Sequence, residues 1–255
     1  MSDKIKNVIH NNVWDFEKYM NERGNLKNSI IKKYNINHPI LFHNGTIDFL
    51  NSVIPVFVRK NHNVITPKNS WFAISEIAEK HNIVINISNT ILKDNYEFID
   101  FDDIYYKINS NTRMICLVGP IVKKDFDEFS SKINDNILIL IDMCYHDFYS
   151  NNKKFSTFND LLKRKNVIIV NTFSKFYSLP GLNLSYSITN SRLNNILKNI
   201  FNYPINNFKE QIAYTALNDD NRNKKVVNYY QNEKIRIYNY LKNKKITFYL
   251  TLQNF

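Results

Sequence analysis

Short, nearly unbroken apolar runs alternate along this chain with longer stretches in which apolar residues return every three or four positions. Ile40-Leu41-Phe42, Val64-Ile65-Thr66, Ile83-Val84-Ile85-Asn86-Ile87, Met114-Ile115-Cys116-Leu117-Val118, Ile137-Leu138-Ile139-Leu140-Ile141 and Val167-Ile168-Ile169-Val170 read as β-strands. Continuous runs of this kind are expected of strands covered by other elements on both faces. Between them, amphipathic segments such as Trp71 to His81 and Asp125 to Ile133 are long enough to serve as crossover helices. The pattern predicts an α/β fold, a mostly parallel sheet with helices on both faces.

From Pro204 the rhythm changes. Asn207 to Leu217 and Asn221 to Asn243 read as consecutive helices, followed by a single strand-like stretch, Ile246 to Thr251, before the last residue, Phe255. One strand cannot form a domain by itself. The expected organisation is an N-terminal arm over 1–24, a large domain over 25–204, and an incomplete α+β small domain over 205–255.

Composition narrows the class. With 255 residues and 44% apolar content the chain can bury a full core. No apolar run of about 18 residues occurs, and Met1-Ser-Asp-Lys-Ile-Lys-Asn7 has no signal-peptide core, so a soluble, cytoplasmic protein without a membrane partner is expected. Cys116 and Cys144 lie in separate apolar runs without metal-ligand or CxxC spacing and read as packed thiols. The net charge of +11 is spread over short clusters such as Lys32-Lys33, Lys123-Lys124, Lys153-Lys154 and Lys224-Lys225. Without a basic stripe interleaved with aromatics, this charge reads as a solvated surface favouring anionic substrates, and no nucleic-acid partner is expected.

The candidate chemistry lies at strand ends. The run from Val167 delivers Lys175, with Thr172 and Ser174 before it and a Pro180-Gly181 turn after it. A lysine beside hydroxyl donors suits a group that bonds an aldehyde covalently and holds a phosphate nearby, as a pyridoxal phosphate site requires. Asp142 closes another apolar run and Tyr145 follows three residues later. A carboxylate there can keep a pyridine nitrogen protonated, while a phenol can bond the ring's oxygen. Gly45-Thr46, at a predicted strand-to-helix turn, would offer free N–H groups to an anion. Taken singly, Gly45 also reads as an ordinary turn glycine and Asp142 as a helix or turn cap.

Taken in order, Gly45-Thr46, Asp142 with Tyr145, and Thr172-Phe-Ser-Lys175 followed by Pro180-Gly-Leu182 resemble the fold type I pyridoxal phosphate enzymes. More narrowly, the chain is similar to class I/II aminotransferases of the histidinol-phosphate aminotransferase kind. The resemblance runs from about Tyr19 to the end and includes Ala216-Leu-Asn-Asp-Asp220 and Leu252-Gln-Asn-Phe255. It implies that Lys175 bonds the aldehyde of pyridoxal 5'-phosphate and then moves a proton as general base and acid. By the same resemblance, Asp142 pairs with the ring nitrogen and Tyr145 with the ring hydroxyl oxygen, while Thr172, Ser174 and the Gly45-Thr46 backbone hold the phosphate. Tyr19 matches a tyrosine that reaches the neighbouring subunit's phosphate, which implies a homodimer. The implied substrates are an amino acid or related amine and a 2-oxo acid.

The departures from the family pattern are specific. Where such enzymes have Gly-Leu-Arg-x-Gly, this chain reads Gly181-Leu-Asn183-Leu-Ser185, so the phosphate meets an amide in place of a guanidinium. Where they read Asn-Pro-Thr-Gly, this chain reads Val118-Gly119-Pro120-Ile121, without the asparagine that would assist Tyr145. The expected ring-stacking aromatic is replaced by Asn69, leaving Trp71 to take that part. A shortened arm before Tyr19 is expected, and so is the loss of the small-domain arginine for the substrate carboxylate. Three readings follow: an aminotransferase with altered recognition, a truncated or decayed copy, and a non-catalytic homologue that keeps the cofactor. A decarboxylase is a further alternative, because substrate orientation decides which bond breaks.

Overall fold

The computed structural model describes residues 1–11, 25–93, 96–150, 152–201 and 205–251. Asp3–Asn11 (α1) and Asn25–Tyr34 (α2) precede Ile40–His43 (β1), Thr46–Phe57 (α3), Asn63–Pro67 (β2), Ala73–Lys80 (α4) and Val84–Ser88 (β3). An antiparallel pair, Thr90–Lys93 (β4) and Tyr96–Ile99 (β5), is followed by Phe101–Tyr106 (α5), Thr112–Val118 (β6), Lys123–Ser131 (α6), Leu138–Asp142 (β7) and Phe158–Leu161 (α7). Val167–Thr172 (β8), Ser185–Thr189 (β9), Ser191–Ile200 (α8), Asn207–Leu217 (α9), Asp220–Asn243 (α10) and Leu250–Thr251 (β10) complete the order.

Among the described residues, seven strands form one sheet in the order β1-β9-β8-β7-β6-β2-β3. All its pairings are parallel except the two made by β9. The two-residue alternation of strand side chains explains the continuous apolar runs. Ile65, Ile115, Ile139, Ile141 and Ile169 enter one core with α1, α2, α6, α7 and α9. Val64, Met114, Leu138, Leu140 and Ile168 enter a second core with α3, α4 and α8 on the other face. The molecule is therefore a three-layer α/β structure, as the periodicity predicts.

Three expectations are corrected. β3 is not covered on both faces: Val84 and Ile87 are more than half exposed, because among the described residues β3 is the sheet's edge and pairs only with β2. The strand expected over Ile246 to Thr251 is confined to Leu250–Thr251, which pairs in parallel with Tyr96 and Glu97 of β5 in a second sheet, β10-β5-β4. The helix expected from Trp71 starts at Ala73, which leaves Trp71 in the preceding loop.

β9 carries no apolar run, yet all five of its residues are buried. Three of its four polar side chains are satisfied in place, while Ser185 Oγ is buried without a hydrogen-bond partner among the described residues. Ser187 Oγ lies 2.8 Å from His43 Nε2, Thr189 Oγ1 donates to the Val167 carbonyl at 2.7 Å, and the Tyr186 hydroxyl accepts from Asn171 Nδ2 at 3.0 Å. Each bond offsets the desolvation cost that would otherwise keep such residues out of a central strand.

Candidate active site

Because β9 is antiparallel to both its neighbours, the C-terminal ends of β1, β2, β6, β7 and β8 all reach the same edge of the sheet. In open α/β sheets that edge is where a ligand crevice forms. Here it holds a cleft of about 410 Å³ lined by Gly45, Thr46, Trp71, Asp142, Tyr145, Thr172, Ser174, Lys175 and Asn183, among others. Every site residue expected from the sequence faces this one cleft except Tyr19, which lies outside the described residues.

Gly45 turns the chain from β1 into α3 with φ 88° and ψ 162°, and no side chain caps the helix. The first N–H groups of α3 are therefore left for water or an anion. Glycine is required twice over, since φ lies in the left-handed half and an added Cβ would stand 2.0 Å from Asn183 Oδ1. Asn183 itself has φ 47°, a conformation that asparagine tolerates better than most residues. Its side chain and the α3 N-terminus thus form one cradle from segments far apart in sequence.

β8 ends at Thr172, whose Oγ1 accepts from the Ser174 N–H at 3.2 Å and lies 3.0 Å from Ser174 Oγ and 3.1 Å from the Leu184 carbonyl. Phe173, Phe176 and Tyr177 are buried, so Lys175 projects from a loop pinned on both sides. Below it, Tyr34 and Tyr177 hydroxyls donate to Asp147 Oδ1 at 2.7 and 3.3 Å, and Lys33 Nζ donates to the Tyr177 hydroxyl at 2.9 Å. Burial, followed by the charge of Asp147, keeps both phenols protonated by raising their pKa values well above the usual range. This network fixes the lysine loop to α2 and to the turn after β7.

Asp142 is buried at the last position of β7 and accepts from the Cys144 N–H at 2.9 Å. Burial pushes its carboxyl up to about 6, against the opposing influence of the Cys144 hydrogen bonds and the Lys175 charge. Its carboxylate is thus a strong acceptor held out of water, poised for a cationic N–H donor. Burial likewise raises the phenol of Tyr145, which stays protonated at neutral pH. Cys144, expected as a packing thiol, is buried but also lines the cleft beside Asp142.

The departures in sequence have local physical partners. At Gly119 an added Cβ would stand 2.4 Å from Met143 Sδ, so Met143 fills the space that a larger residue 119 would need. Asn69 adopts φ 61° and donates from Nδ2 to Glu97 Oε1 at 2.8 Å, while Trp71 lines the cleft. Phe72, 65% exposed, and Ser70 line it too, and neither emerges from the sequence pattern. An aromatic pair at a strand-to-helix loop is the signal that would have marked this wall.

The arrangement fits pyridoxal phosphate: an aldehyde-reactive amine, a buried acceptor for a ring N–H, a phenol, an aromatic wall and an anion cradle share one cleft. Comparison with known proteins agrees. Residues 15–254 match the family model described as "Aminotransferase class I and II". Histidinol-phosphate aminotransferase from Pelagibacter ubique (strain HTCC1062) is 23% identical over 249 residues, covering 92% of this chain and 66% of the relative. Among solved structures, histidinol-phosphate aminotransferase from Sinorhizobium meliloti, in complex with pyridoxal-5'-phosphate, superposes with a TM-score of 0.82 at 19% identity, over 92% of this chain and 66% of that one. A pyridoxal phosphate-bound C-S lyase from Staphylococcus hominis gives 0.80 at 14% identity, over 94% and 66%. The chain thus spans about two thirds of the length of these relatives.

Proposed function

Because this chain belongs to the class I and II aminotransferases, we propose that it binds pyridoxal 5'-phosphate in the cleft and transfers an amino group between an amino acid or related amine and a 2-oxo acid. The observation that carries this reading is the convergence of Lys175, buried Asp142 and the uncapped α3 N-terminus on one cleft. Pyridoxal phosphate supplies, when bound, an aldehyde for the amine and a protonated ring that accepts the electrons of the broken carbon–hydrogen bond. Lys175 would offer the amine that holds the cofactor's aldehyde and would hold and return a proton at Nζ. Asp142 would accept from the ring N–H and keep the positive charge there. Tyr145, held protonated, would donate to the ring's hydroxyl oxygen, and Trp71 would contribute an apolar wall beside the ring.

Thr172, Ser174, Asn183 and the Gly45-Thr46 backbone hold the phosphate in this reading. The division into a cofactor-binding part over 25–204 and a smaller part from 205 belongs to the same proposal, supported by α10, in which Asn223 is the only buried residue among those described. A homodimer is also proposed, with Tyr19 reaching the partner's phosphate. Two free, buried cysteines suit a cytoplasmic location.

Addition of pyridoxal phosphate to the purified protein should produce a visible absorption band that Lys175→Ala abolishes, and incubation with a panel of amino acids should release pyridoxamine phosphate. Absence of the band sinks the cofactor reading. A band without amino-group exchange selects the non-catalytic homologue, and release of carbon dioxide selects a decarboxylase.

A further inference from the structure

The phosphate cradle contains no cation of its own. Gly45, Thr46, Thr172, Ser174 and Asn183 are all neutral, and among the described residues that line the cleft Lys175 is the only basic one. Lys175 is committed to the aldehyde in the reading above. A phosphate dianion held by neutral donors alone gives up the larger part of its hydration for weaker partners.

A second ammonium stands directly behind the cradle. Lys209, in the first turn of α9, donates from Nζ to Asn44 Oδ1 at 2.9 Å and to the Asn183 carbonyl at 3.3 Å. Asn44 immediately precedes Gly45, and the Asn183 side chain is the one that occupies the space over Gly45. Lys209 thus bonds the residue beside Gly45 and the backbone of Asn183, standing next to the cradle without itself lining the cleft. Both acceptors are neutral oxygens, and Asp48, in the first turn of α3, is the carboxylate whose charge reaches Lys209. An ammonium that spans two neutral oxygens on a flexible four-carbon stem can turn toward an anion at little cost.

Resting on the cofactor reading, we propose that Lys209 is the counter-ion of the cofactor phosphate, supplying from α9 the charge that position 183 lacks. The contact is charge-assisted and specific to the phosphate, so it contributes nothing to the ring or the aldehyde.

The test compares pyridoxal phosphate with pyridoxal, which lacks the phosphate, in equilibrium titrations of the full chain and of Lys209→Met and Lys209→Arg. Methionine keeps most of the apolar stem and removes the charge. Loss of one charge-assisted contact should weaken pyridoxal phosphate binding by roughly 10- to 100-fold in Lys209→Met, with pyridoxal unchanged and the phosphate-dependent affinity largely restored in Lys209→Arg. Inorganic phosphate should also raise the melting temperature of the wild type and fail to do so for Lys209→Met. Equal losses for both ligands in Lys209→Met overturn the proposal by reducing Lys209 to a brace of the β1–α3 turn. Unchanged phosphate-ligand binding overturns it outright. If the wild type itself takes up neither pyridoxal compound, the cofactor reading fails, and the inorganic phosphate shift then decides separately whether Lys209 serves an anion.

Discussion

Gly45→Ala tests the geometry of the cleft most directly, because its consequence can be worked out before any cofactor is considered. The substitution places a Cβ in a backbone with φ 88° and ψ 162°, a region that is essentially reserved for glycine and costs about 1–3 kcal/mol for other residues. The new methyl would also stand 2.0 Å from Asn183 Oδ1, so Asn183 must leave the cradle. For a chain of this size the backbone penalty corresponds to a melting temperature lower by roughly 2–12 °C, followed by circular dichroism or calorimetry. Adding Asn183→Gly removes the clash and leaves the φ penalty, so the double variant should recover part of the loss. Gly181→Ala is the control: nothing lies within 4 Å of an added Cβ and the backbone is not left-handed, so stability should hold or rise by a few tenths of a kcal/mol. A Gly45→Ala midpoint equal to that of Gly181→Ala would refute the reasoning.

Other perturbations probe other parts of the site. Asp142 has a folded-state pKa raised from 3.8 to about 6, so its burial costs nothing below about pH 4 and the full penalty above about pH 6. Asp142→Asn should therefore stabilise the cofactor-free protein at pH 7, by at most on the order of 3 kcal/mol, and leave it unchanged at pH 4, as read from urea midpoints. The same variant should lower any amino-group exchange by about 100-fold or more, measured as single-turnover rate. Asp147→Ala removes the acceptor shared by the Tyr34 and Tyr177 hydroxyls and the ion-pair partner of Lys33, and should destabilise by about 3 kcal/mol in urea unfolding. Gly119→Asn forces Met143 out of place and should cost about 1–3 kcal/mol, with Met143→Ala in the same chain recovering much of it; an unchanged single variant would show that the gap at residue 119 is open.

Much of the fold was legible because the sheet's central strands are buried on both faces, and such strands must be apolar throughout. β9 lacks an apolar run for the opposite reason: its buried Tyr186, Ser187 and Thr189 are acceptable because specific partners from β1 and β8 meet them. β4 and β5 belong to a small separate sheet with exposed or half-buried residues, and so lack a strong period. The same distinction runs through the site. Lys175, Asp142 and Gly45 were recognisable because each follows or closes a strand, and parallel strands deliver their ends to one edge.

The sequence by itself determined the layered α/β architecture and the order in which strand ends present an amine, a carboxylate and a glycine turn, since periodicity and local turn chemistry are short-range properties of the chain. Only the tertiary structure decided which distant groups complete them. Asn183 closes over Gly45, Met143 fills the space beside Gly119, Trp71 and Phe72 supply a wall, and Lys209 reaches Asn44 across 165 positions. These pairings depend on how the layers pack, and no local pattern encodes a distance between residues that meet only after the core has formed.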